Sequence, residues 1–478
     1  MKRLNKISGL LLAAVLITSP AYAAKPKYVF YMVGDGLGAA QRQFSEFFLK
    51  EKDRKTDEKL LMDTFPVSGL NSTYATNTLI TDSAAAATAL ATGHKTNKGY
   101  IGQDPNGKDL ETLIEEAEKH GMSTGLITTT RITHATPAAF AAHTPDRNDE
   151  NGIAEDYLDS GVDFFAGGGI RHFIPKDVKI ANGDAVGHTI KSKRKDDKDL
   201  VKEFSAKGYD TFIGKEGVKK FNATDFNKVE KVLALFTYTH MPYEIDRENK
   251  FQDCPSIADM TQAAIDVLSK NKDGFFMMIE GGRIDHAAHA NDPTGVIYDT
   301  IAFDKAIDKA YNFYKQHPEE TLIVVVADHE TGGMGLGFDS QGYKLDMGQL
   351  LDVKASIEDN IFNGAGLEYK QGKREAFLTM LNTTYGLDNL TAEEKAMLEK
   401  GMDESDAGKT FGYYKYDPAA IAATHILSQR ANISWTTTIH TASMVPMSAI
   451  GVDAQQFGGY KDNTEVAKAM AKVLGFSI

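Results

Sequence analysis

The fold of this chain can be predicted from the stretch FFMMIEGGRIDHAAH at residues 275–289. Its first five residues are apolar and indicate a short buried strand, which the acid Glu280 follows directly. Asp285 and His289 come next, four residues apart, so they lie on one face of a helical turn. A carboxylate and an imidazole on one face suit a metal such as zinc, although paired histidines on a helix are also common on solvated surfaces.

Two more apolar runs end in acids. Asp35 follows the run at 28–33, and Asp328 and His329 follow the run at 321–327. Ligands of open parallel α/β sheets bind at the carboxyl ends of the strands, so three separate units are expected to deliver these side chains to one crevice. Each acid alone could be a helix N-cap, but their shared position argues against that explanation for all of them.

Short apolar runs and longer amphipathic runs alternate from Lys27 onward, which predicts an α/β fold. We expect a central, mainly parallel sheet with helices on both faces, in a single domain spanning 24–478. Insertions are expected at about 176–239 and 337–433, the second forming a cap over the sheet's edge. The best-defined predicted elements are strands at 28–33, 123–130, 275–279 and 321–327 and helices at 110–120, 257–268 and 296–314.

Composition restricts the function. The chain has 478 residues, 42% hydrophobic and 25% charged, as in globular proteins. Its net charge of −13 argues against recognition of nucleic acid or anionic membranes through bulk positive charge. An anionic substrate must therefore be held by a local site.

The amino terminus has the features of a cleavable secretory signal at 1–23. Basic residues precede an apolar run at 7–17, and an A-x-A pattern ends at Ala23. The alternative, a transmembrane anchor, is disfavoured because a spanning helix needs ~20 apolar residues. We therefore expect an exported protein, periplasmic or extracellular, cleaved after Ala23. Cys254 is the single cysteine, so no intrachain disulfide is possible.

Ser83 begins an alanine-rich helical stretch within TDSAAAATAL at residues 81–90. A helix N-terminus favours negative charge, so this serine could be a nucleophile, but Asp82 or Ser83 could also be only an N-cap. No G-x-S-x-G motif surrounds Ser83, so a nucleophile here needs another activator, for which a metal ion is suited. His440 is a lone histidine that, by itself, indicates a structural role rather than catalysis.

Taken together, the motifs resemble those of alkaline phosphatases and occur in that family's order from about Lys27 to Gly451. The motifs that carry the resemblance are Gly34-Asp35-Gly36, Thr81-Asp82-Ser83-Ala84, His134-Ala-Thr136-Pro137, Arg147, Glu280 through His289, Ala327-Asp328-His329 and His440-Thr441. The resemblance implies hydrolysis of small phosphate monoesters to an alcohol and inorganic phosphate. It implies that Ser83 forms a phosphoserine intermediate and that Arg147 clamps the phosphate.

The resemblance also implies three metal sites. They are a first zinc at Asp285, His289 and His440, a second zinc at Asp35, Asp328 and His329, and a magnesium at Asp35, Thr136 and Glu280. The family is commonly homodimeric, so a homodimer is expected here. Alternatives are a phosphodiesterase or sulfatase of the same superfamily, or a metal- or phosphate-binding protein without turnover. A phosphodiesterase is expected to lack the set Glu280, Thr136 and Arg147.

Two residues depart from the best-known enterobacterial pattern, in which aspartate and lysine occupy the positions of His134 and His286. Imidazole is a poor magnesium ligand, so His134 is expected to weaken magnesium selectivity at the third site and to admit zinc. His286 is expected to touch phosphate directly or through water. Asp82 is expected to cap its helix or to orient Arg147 rather than to bind metal.

Overall fold

The computed structural model describes residues 25–55, 57–338, 342–357, 369 and 372–478. The expected signal peptide at 1–23 and part of the insertion expected at 337–433 lie outside these residues. Within the described ranges, no helix has both the length and the apolar character needed to cross a bilayer.

Most strands belong to one large twisted sheet. The strands of the described residues are β1 (Tyr28–Gly34), β2 (Val67–Ser72), β3 (Ser123–Arg131), β4 (Phe164–Gly168), β5 (Lys179–Ile180), β6 (Ile190–Lys191), β7 (Asp210–Ile213), β8 (Val232–Leu235), β9 (Phe275–Glu280), β10 (Thr321–Ala327), β11 (Glu330–Thr331), β12 (Met334–Leu336), β13 (Ile433–Trp435), β14 (His440–Thr441), β15 (Val445–Gly451) and β16 (Gly459–Asp462). The 10-stranded sheet has the order β16-β2-β15-β10-β1-β9-β3-β4-β8-β7. Only β15 runs antiparallel to its neighbours in this sheet.

Helices cover both faces of the sheet. They are α1 (Ala39–Asp53), α2 (Ser83–Thr92), α3 (Leu113–Lys119), α4 (Ala135–Ala138), α5 (Glu150–Asp159), α6 (Leu200–Ala206), α7 (Gly214–Asn222), α8 (Glu244–Lys250), α9 (Ile257–Leu268), α10 (Arg283–His289), α11 (Pro293–Gln316), α12 (Arg374–Tyr385), α13 (Ala392–Asp406), α14 (Pro418–Arg430) and α15 (Asn463–Leu474). α2, α3, α5 and α15 pack on one face, and α9 and α11 pack on the other.

The continuous apolar runs of the central strands follow from this layering. Along β1, Val29, Tyr31 and Val33 enter one core, whereas Phe30 and Met32 enter the other. Successive side chains of a strand point to opposite faces, so a strand covered on both faces must be apolar at every position. The predicted fold class is confirmed.

The predicted element bounds agree with the structure at several places. The strand expected at 321–327 and the helix expected at 257–268 have the bounds of β10 and α9. α3 begins later than the expected 110, because Thr112 caps it and Glu115 completes a capping box.

The segment at 176–239 is not simply an interruption of the α/β pattern. It contains β7 and β8, which extend the sheet beyond β4. This part of the segment therefore contributes to the sheet. Both strands are only four residues long, and lysine-rich helical segments separate them, so their apolar pattern is weak in the sequence.

The segment at 337–433 contributes α12, α13 and α14, which form a third hydrophobic core with α1 and α11. Phe44 and Phe48 of α1 and Val296 of α11 are buried in this core. Asp292, the N-cap of α11, also accepts a hydrogen bond from the backbone N–H of Ile357 at 2.8 Å. The inserted helices are thereby fixed to helices that flank the sheet.

Candidate active site

The acids predicted from the strand ends meet at one edge of the sheet. β1 lies between β9 and β10, and the parallel register pairs Gly34 with Ala327 and Val33 with Glu280. Asp35 and Asp328 therefore leave their strands at the same level. Both carboxylates and Glu280 are fully buried at this edge.

Ser83 is the first residue of α2, and Asp82 is the N-cap. The Asp82 side chain accepts hydrogen bonds from the backbone N–H groups of Ala85 at 3.1 Å and of Gly99 at 3.0 Å. Its Oδ2 also forms an ion pair with Arg147 at 3.1 Å. Asp82 thus caps α2 and holds the Arg147 guanidinium at the start of the helix.

The second cluster comprises the residues expected at the second zinc site, Asp35, Asp328 and His329. Its side chains meet at Nε2 of His329. His329 Nε2 lies 3.2 Å from Asp328 Oδ2 and 3.3 Å from Asp35 Oδ1. Ser83 Oγ is 3.2 Å from the same nitrogen. A single ring nitrogen cannot satisfy three oxygens, and the described residues give no hydrogen bond to Asp35 Oδ1 or Asp328 Oδ2.

The first cluster, Asp285, His289 and His440, has a fixed arrangement of donors and acceptors. The Nδ1 atoms of His289 and His440 lie 2.8 Å and 2.9 Å from the backbone oxygens of Thr438 and Thr81. A carbonyl only accepts, so each Nδ1 carries the proton and each Nε2 presents a lone pair. The two Nε2 atoms face one another at 3.1 Å, beside the Asp285 carboxylate.

The third cluster, Asp35, Thr136 and Glu280, has His134 beside it. Thr136 Oγ1 donates to Asp35 Oδ2 at 3.4 Å, and Thr130 donates to Glu280 at 3.2 Å. Ligand atoms of Asp35, His134 and Glu280 all lie within 4.8 Å of one another. The same holds for Asp35, Asp285 and His329, so the first and second clusters adjoin.

The electrostatics of these clusters favour bound cations. Burial raises the pKa of Asp35 well above its usual range, and the nearby Asp328 and Asp285 carboxylates raise it further. Burial also lowers the pKa of His329 well below its usual value and lowers that of His440 to about 4. Neutral imidazoles and carboxylates are both ligands for divalent metals. Because the imidazoles are neutral, they do not compensate the negative charge of the neighbouring carboxylates. The donor sets therefore fit metal ions.

A group of histidines and arginines lies on the other side of Arg147. His134 Nε2 is 3.3 Å from Arg147, and the His134 and His286 rings are 5.5 Å apart. His240, which the sequence analysis missed, packs on His286 with ring centroids 4.4 Å apart. It follows β8, and recognising the apolar run at 232–236 as a strand would have drawn attention to it.

The inserted segment also supplies a residue to the site. The Tyr414 ring packs against the His289 ring with centroids 4.5 Å apart at an interplanar angle of 66°. Partial burial raises the pKa of Tyr414, Asp285 raises it further, and Arg147 opposes this rise. Nothing in the sequence around Tyr414 indicated this position, because it depends on how the insertion folds back.

The fold and the clusters of potential metal ligands near Ser83 and Arg147 are typical of a metal-dependent hydrolase. Comparison with known proteins identifies the family. The sequence model of the family described as "Alkaline phosphatase" matches residues 26–476. Alkaline phosphatase 3 of Bacillus subtilis (strain 168) is 33% identical over 468 residues, which are 95% of this chain and 90% of that protein.

Solved structures agree. The cold-active alkaline phosphatase of the psychrophile Shewanella sp. has a TM-score of 0.76 and 31% identity, with 94% of this chain and 99% of that chain covered. Alkaline phosphatase of the Antarctic bacterium TAB5 was solved as a histidine-to-aspartate mutant with magnesium bound in its M3 site. It has a TM-score of 0.64 and 25% identity, covering 95% and 99%. The chain belongs to the alkaline phosphatase family and is a phosphomonoesterase.

Proposed function

We propose that this enzyme is an exported alkaline phosphatase that transfers the phosphoryl group of small monoesters first to Ser83 and then to water. The first and second clusters would each hold a zinc ion, and the third would hold a magnesium ion. The observation that carries the proposal is the pair of imidazole lone pairs in the first cluster. Both His289 and His440 are fixed by backbone carbonyls so that their free nitrogens face one carboxylate.

The metals, when bound, supply the Lewis acidity that favours ionised Ser83 and the charge that offsets the phosphate. The chain supplies position. Asp82 holds Arg147 on one side, so the planar guanidinium is oriented before substrate arrives and its remaining N–H groups can clamp two phosphate oxygens. The N-terminus of α2 places Ser83 where the helix dipole favours negative charge.

The reaction comprises two displacements at phosphorus. Ser83 Oγ forms a bond to phosphorus while the bond to the ester oxygen breaks, and the leaving alcohol takes up a proton. Water then attacks the same phosphorus, the bond from phosphorus to Ser83 Oγ breaks, and inorganic phosphate leaves. Arg147 holds the transferred group through both displacements.

His134 is expected to influence which metal fills the third cluster. Imidazole suits zinc better than magnesium, whereas the other groups of the cluster are oxygens. The TAB5 variant that holds magnesium in its M3 site carries aspartate in place of a histidine. We therefore expect His134→Asp to raise the preference for magnesium, measured as the magnesium concentration that restores half of the activity at fixed zinc. An unchanged half-restoring concentration would contradict this assignment.

The homodimer and the export signal are part of the proposal. Leu70 and Tyr460 are neighbours on β2 and β16, with exposed fractions of 40% and 65%, which supports a contact at this edge of the sheet. Light scattering after gel filtration tests the dimer. Amino-terminal sequencing of the protein recovered outside the cytoplasm tests cleavage after Ala23.

The central experiment compares Ser83→Ala with wild type on an aryl phosphate monoester, the matching diester and the matching sulfate. We expect wild type to prefer the monoester strongly and Ser83→Ala to lose about 10³-fold in kcat. Acid-quenched reactions should carry phosphate on the peptide containing Ser83. Ser45→Ala is the matched control, because Ser45 is also a buried helical serine but donates only to the backbone of α1.

The alternatives have distinct outcomes. A diester preference would support the phosphodiesterase reading, and a sulfate preference the sulfatase reading. Binding of phosphate without turnover of any substrate would indicate a binding protein. If Ser83→Ala keeps most of its rate while the monoester preference persists, the nucleophile is assigned wrongly but the family activity stands.

A further inference from the structure

A closed turn of the inserted segment brings Tyr414 against His289 of the first cluster and carries Tyr413 beside Tyr414. Phe411 and Tyr416 exchange backbone hydrogen bonds of 2.8 Å and 2.9 Å, which closes the turn between them. Gly412 and Lys415 adopt the left-handed conformation, with φ of 68° and 61°. A four-residue turn closed in this way presents Tyr413 and Tyr414 at its tip.

The turn is anchored at the site. A Cβ at Gly412 would lie 2.5 Å from Thr438 Oγ1, so the backbone approaches the segment that leads to His440. Tyr416 is buried and packs with Ala290 and Ile421. The position of the tip relative to the first cluster is therefore determined by close contacts on both sides.

The tip offers an aromatic surface that the chain leaves partly uncovered. Tyr413 and Tyr414 are 70% and 46% exposed, and their rings are perpendicular with centroids 5.2 Å apart. Lys98 Nζ lies 6.0 Å from the Tyr413 ring. Lys98 is next to Gly99, which binds the Asp82 that holds Arg147. The surface thus extends from the phosphate clamp to the first cluster.

The direction of phosphoryl transfer relates this surface to the substrate. Ser83 Oγ touches the second cluster at His329. In an in-line displacement the leaving oxygen departs on the side of phosphorus opposite the nucleophile. The first cluster adjoins the second, with the His440 ring stacked on the His329 ring at 3.6 Å, and Tyr414 packs directly on His289 of the first cluster. With the leaving oxygen directed toward the first cluster, the alcohol part of the ester would emerge beside the two tyrosines.

We propose that Tyr413 and Tyr414 form the leaving-group subsite and favour phosphate esters whose alcohol is a planar aromatic ring. This inference rests on the proposed function of Ser83 and the first cluster. Aromatic rings contact one another favourably both stacked and edge to face, and a perpendicular pair offers a face and an edge together. Alkyl esters such as glycerol phosphate cannot make these contacts.

The test measures kcat/KM for 2-naphthyl phosphate, a nucleoside 5′-monophosphate and glycerol phosphate. We expect Tyr414→Leu to lower the ratio of naphthyl to glycerol ester kcat/KM by about tenfold, mainly through KM. Tyr414→Phe should retain the ratio because it retains the ring. Tyr413→Ala changes a highly exposed residue and should lower the ratio by a smaller factor. Tyr343→Ala is the control, since Tyr343 is an exposed tyrosine of the same inserted segment.

Inhibition by inorganic phosphate separates the two proposals, because phosphate has no leaving group. Unchanged inhibition by inorganic phosphate, together with a lowered ratio of naphthyl to glycerol ester kcat/KM, supports the subsite. Equal losses on all three esters, or an unchanged ratio in both tyrosine variants, would overturn it. If the tyrosine substitutions change kcat/KM for the nucleoside 5′-monophosphate as they do for the naphthyl ester, any planar ring can occupy the subsite. If the nucleotide instead behaves as glycerol phosphate does, the preference is restricted to aryl esters. Failure of Ser83→Ala to lower the rate would count against the nucleophile and leave the measured ratios intact.

Discussion

Two buried groups of charged side chains in this enzyme differ in how the negative charge of their carboxylates is compensated. In the first group, burial and the neighbouring carboxylates raise the pKa of Asp35. Around Glu150, burial also opposes ionisation, but Arg131, with a further contribution from Arg171, lowers the pKa of Glu150 well below its usual range. Glu150 Oε2 accepts hydrogen bonds from Arg131 and Thr133, both at 2.7 Å.

The groups around Glu150 and Asp35 differ in the source of the positive charge that compensates their carboxylates. The chain itself surrounds Glu150 with cationic side chains, so this group is complete in the folded protein. The carboxylates around Asp35 lack such partners at several oxygens among the described residues. Buried carboxylates without partners are strongly disfavoured, so this second group depends on bound cations, and the comparison can be tested by removing one source of charge at a time.

The largest effect is expected on chelation. Removing metal should lower kcat/KM for an aryl phosphate by at least about 10³-fold and lower the melting temperature, because it leaves the carboxylates around Asp35 uncompensated. Zinc and magnesium together should restore both. Steady-state rates and differential scanning calorimetry with and without chelator measure this. Full activity after exhaustive chelation would show that the carboxylates around Asp35 need no bound cation.

Asp35→Asn should separate stability from activity. Asp35 belongs to the second and third clusters, so we expect kcat to fall by about 10³-fold. The metal-free protein should become more stable by about 1–2 kcal/mol, because one of several mutually repelling buried charges is removed. Urea unfolding of the metal-free variant and wild type measures this. A less stable metal-free variant would show that the chain already compensates Asp35.

Glu150→Gln should destabilise the protein by about 3 kcal/mol, since the arginines lose their buried partner. The loss should be equal with and without metal, in contrast to Asp35→Asn. The depressed pKa of Glu150 means that its contribution is present above the unfolded value of about 4.3 and is lost as pH falls through the folded pKa. Urea unfolding at neutral pH, with Glu155→Gln as a control at a more exposed acid, measures the effect.

The smallest effect is expected at a half-buried pair. His143 Nε2 lies 3.0 Å from Glu115, and despite partial burial this partner raises the pKa of His143 to about 9. The pair should contribute about 1 kcal/mol, fully present below the unfolded pKa of about 6.5 and lost as pH rises through 9. Melting temperatures of wild type should fall over this range more steeply than those of His143→Asn. Equal slopes of melting temperature against pH for the two proteins would show that the pair does not stabilise the fold.

The central fold was predictable because burial on both faces leaves a strong pattern. β1, β9 and β10 are continuous apolar runs, and the acids after them follow from the geometry of a parallel sheet. β7 and β8 are each only four residues long, and the edge strand β7 is only partly buried, so they gave weaker patterns. Metal-ligand assignments needed the combined motifs, because a lone residue such as His440 has no local signal.

Other parts of the site depend on contacts between distant segments. Tyr414 reaches His289 only because the inserted helices pack on α1 and α11. Glu150 resembles any helix acid in the sequence, and its partners lie on β3 and beyond β4. Periodicity reports which face of an element is buried, but it carries no information on which charged groups meet across elements.

The hydrogen bond from His440 to the carbonyl of Thr81 spans 359 positions of the chain. Closing so long a loop costs configurational entropy before the contact can stabilise anything, so contacts of this range form late in folding. The first cluster also needs a ligand that is synthesised after all of the inserted helices. Metal uptake at this cluster is therefore expected near the end of maturation, and a chain truncated before His440 should fail to retain zinc there.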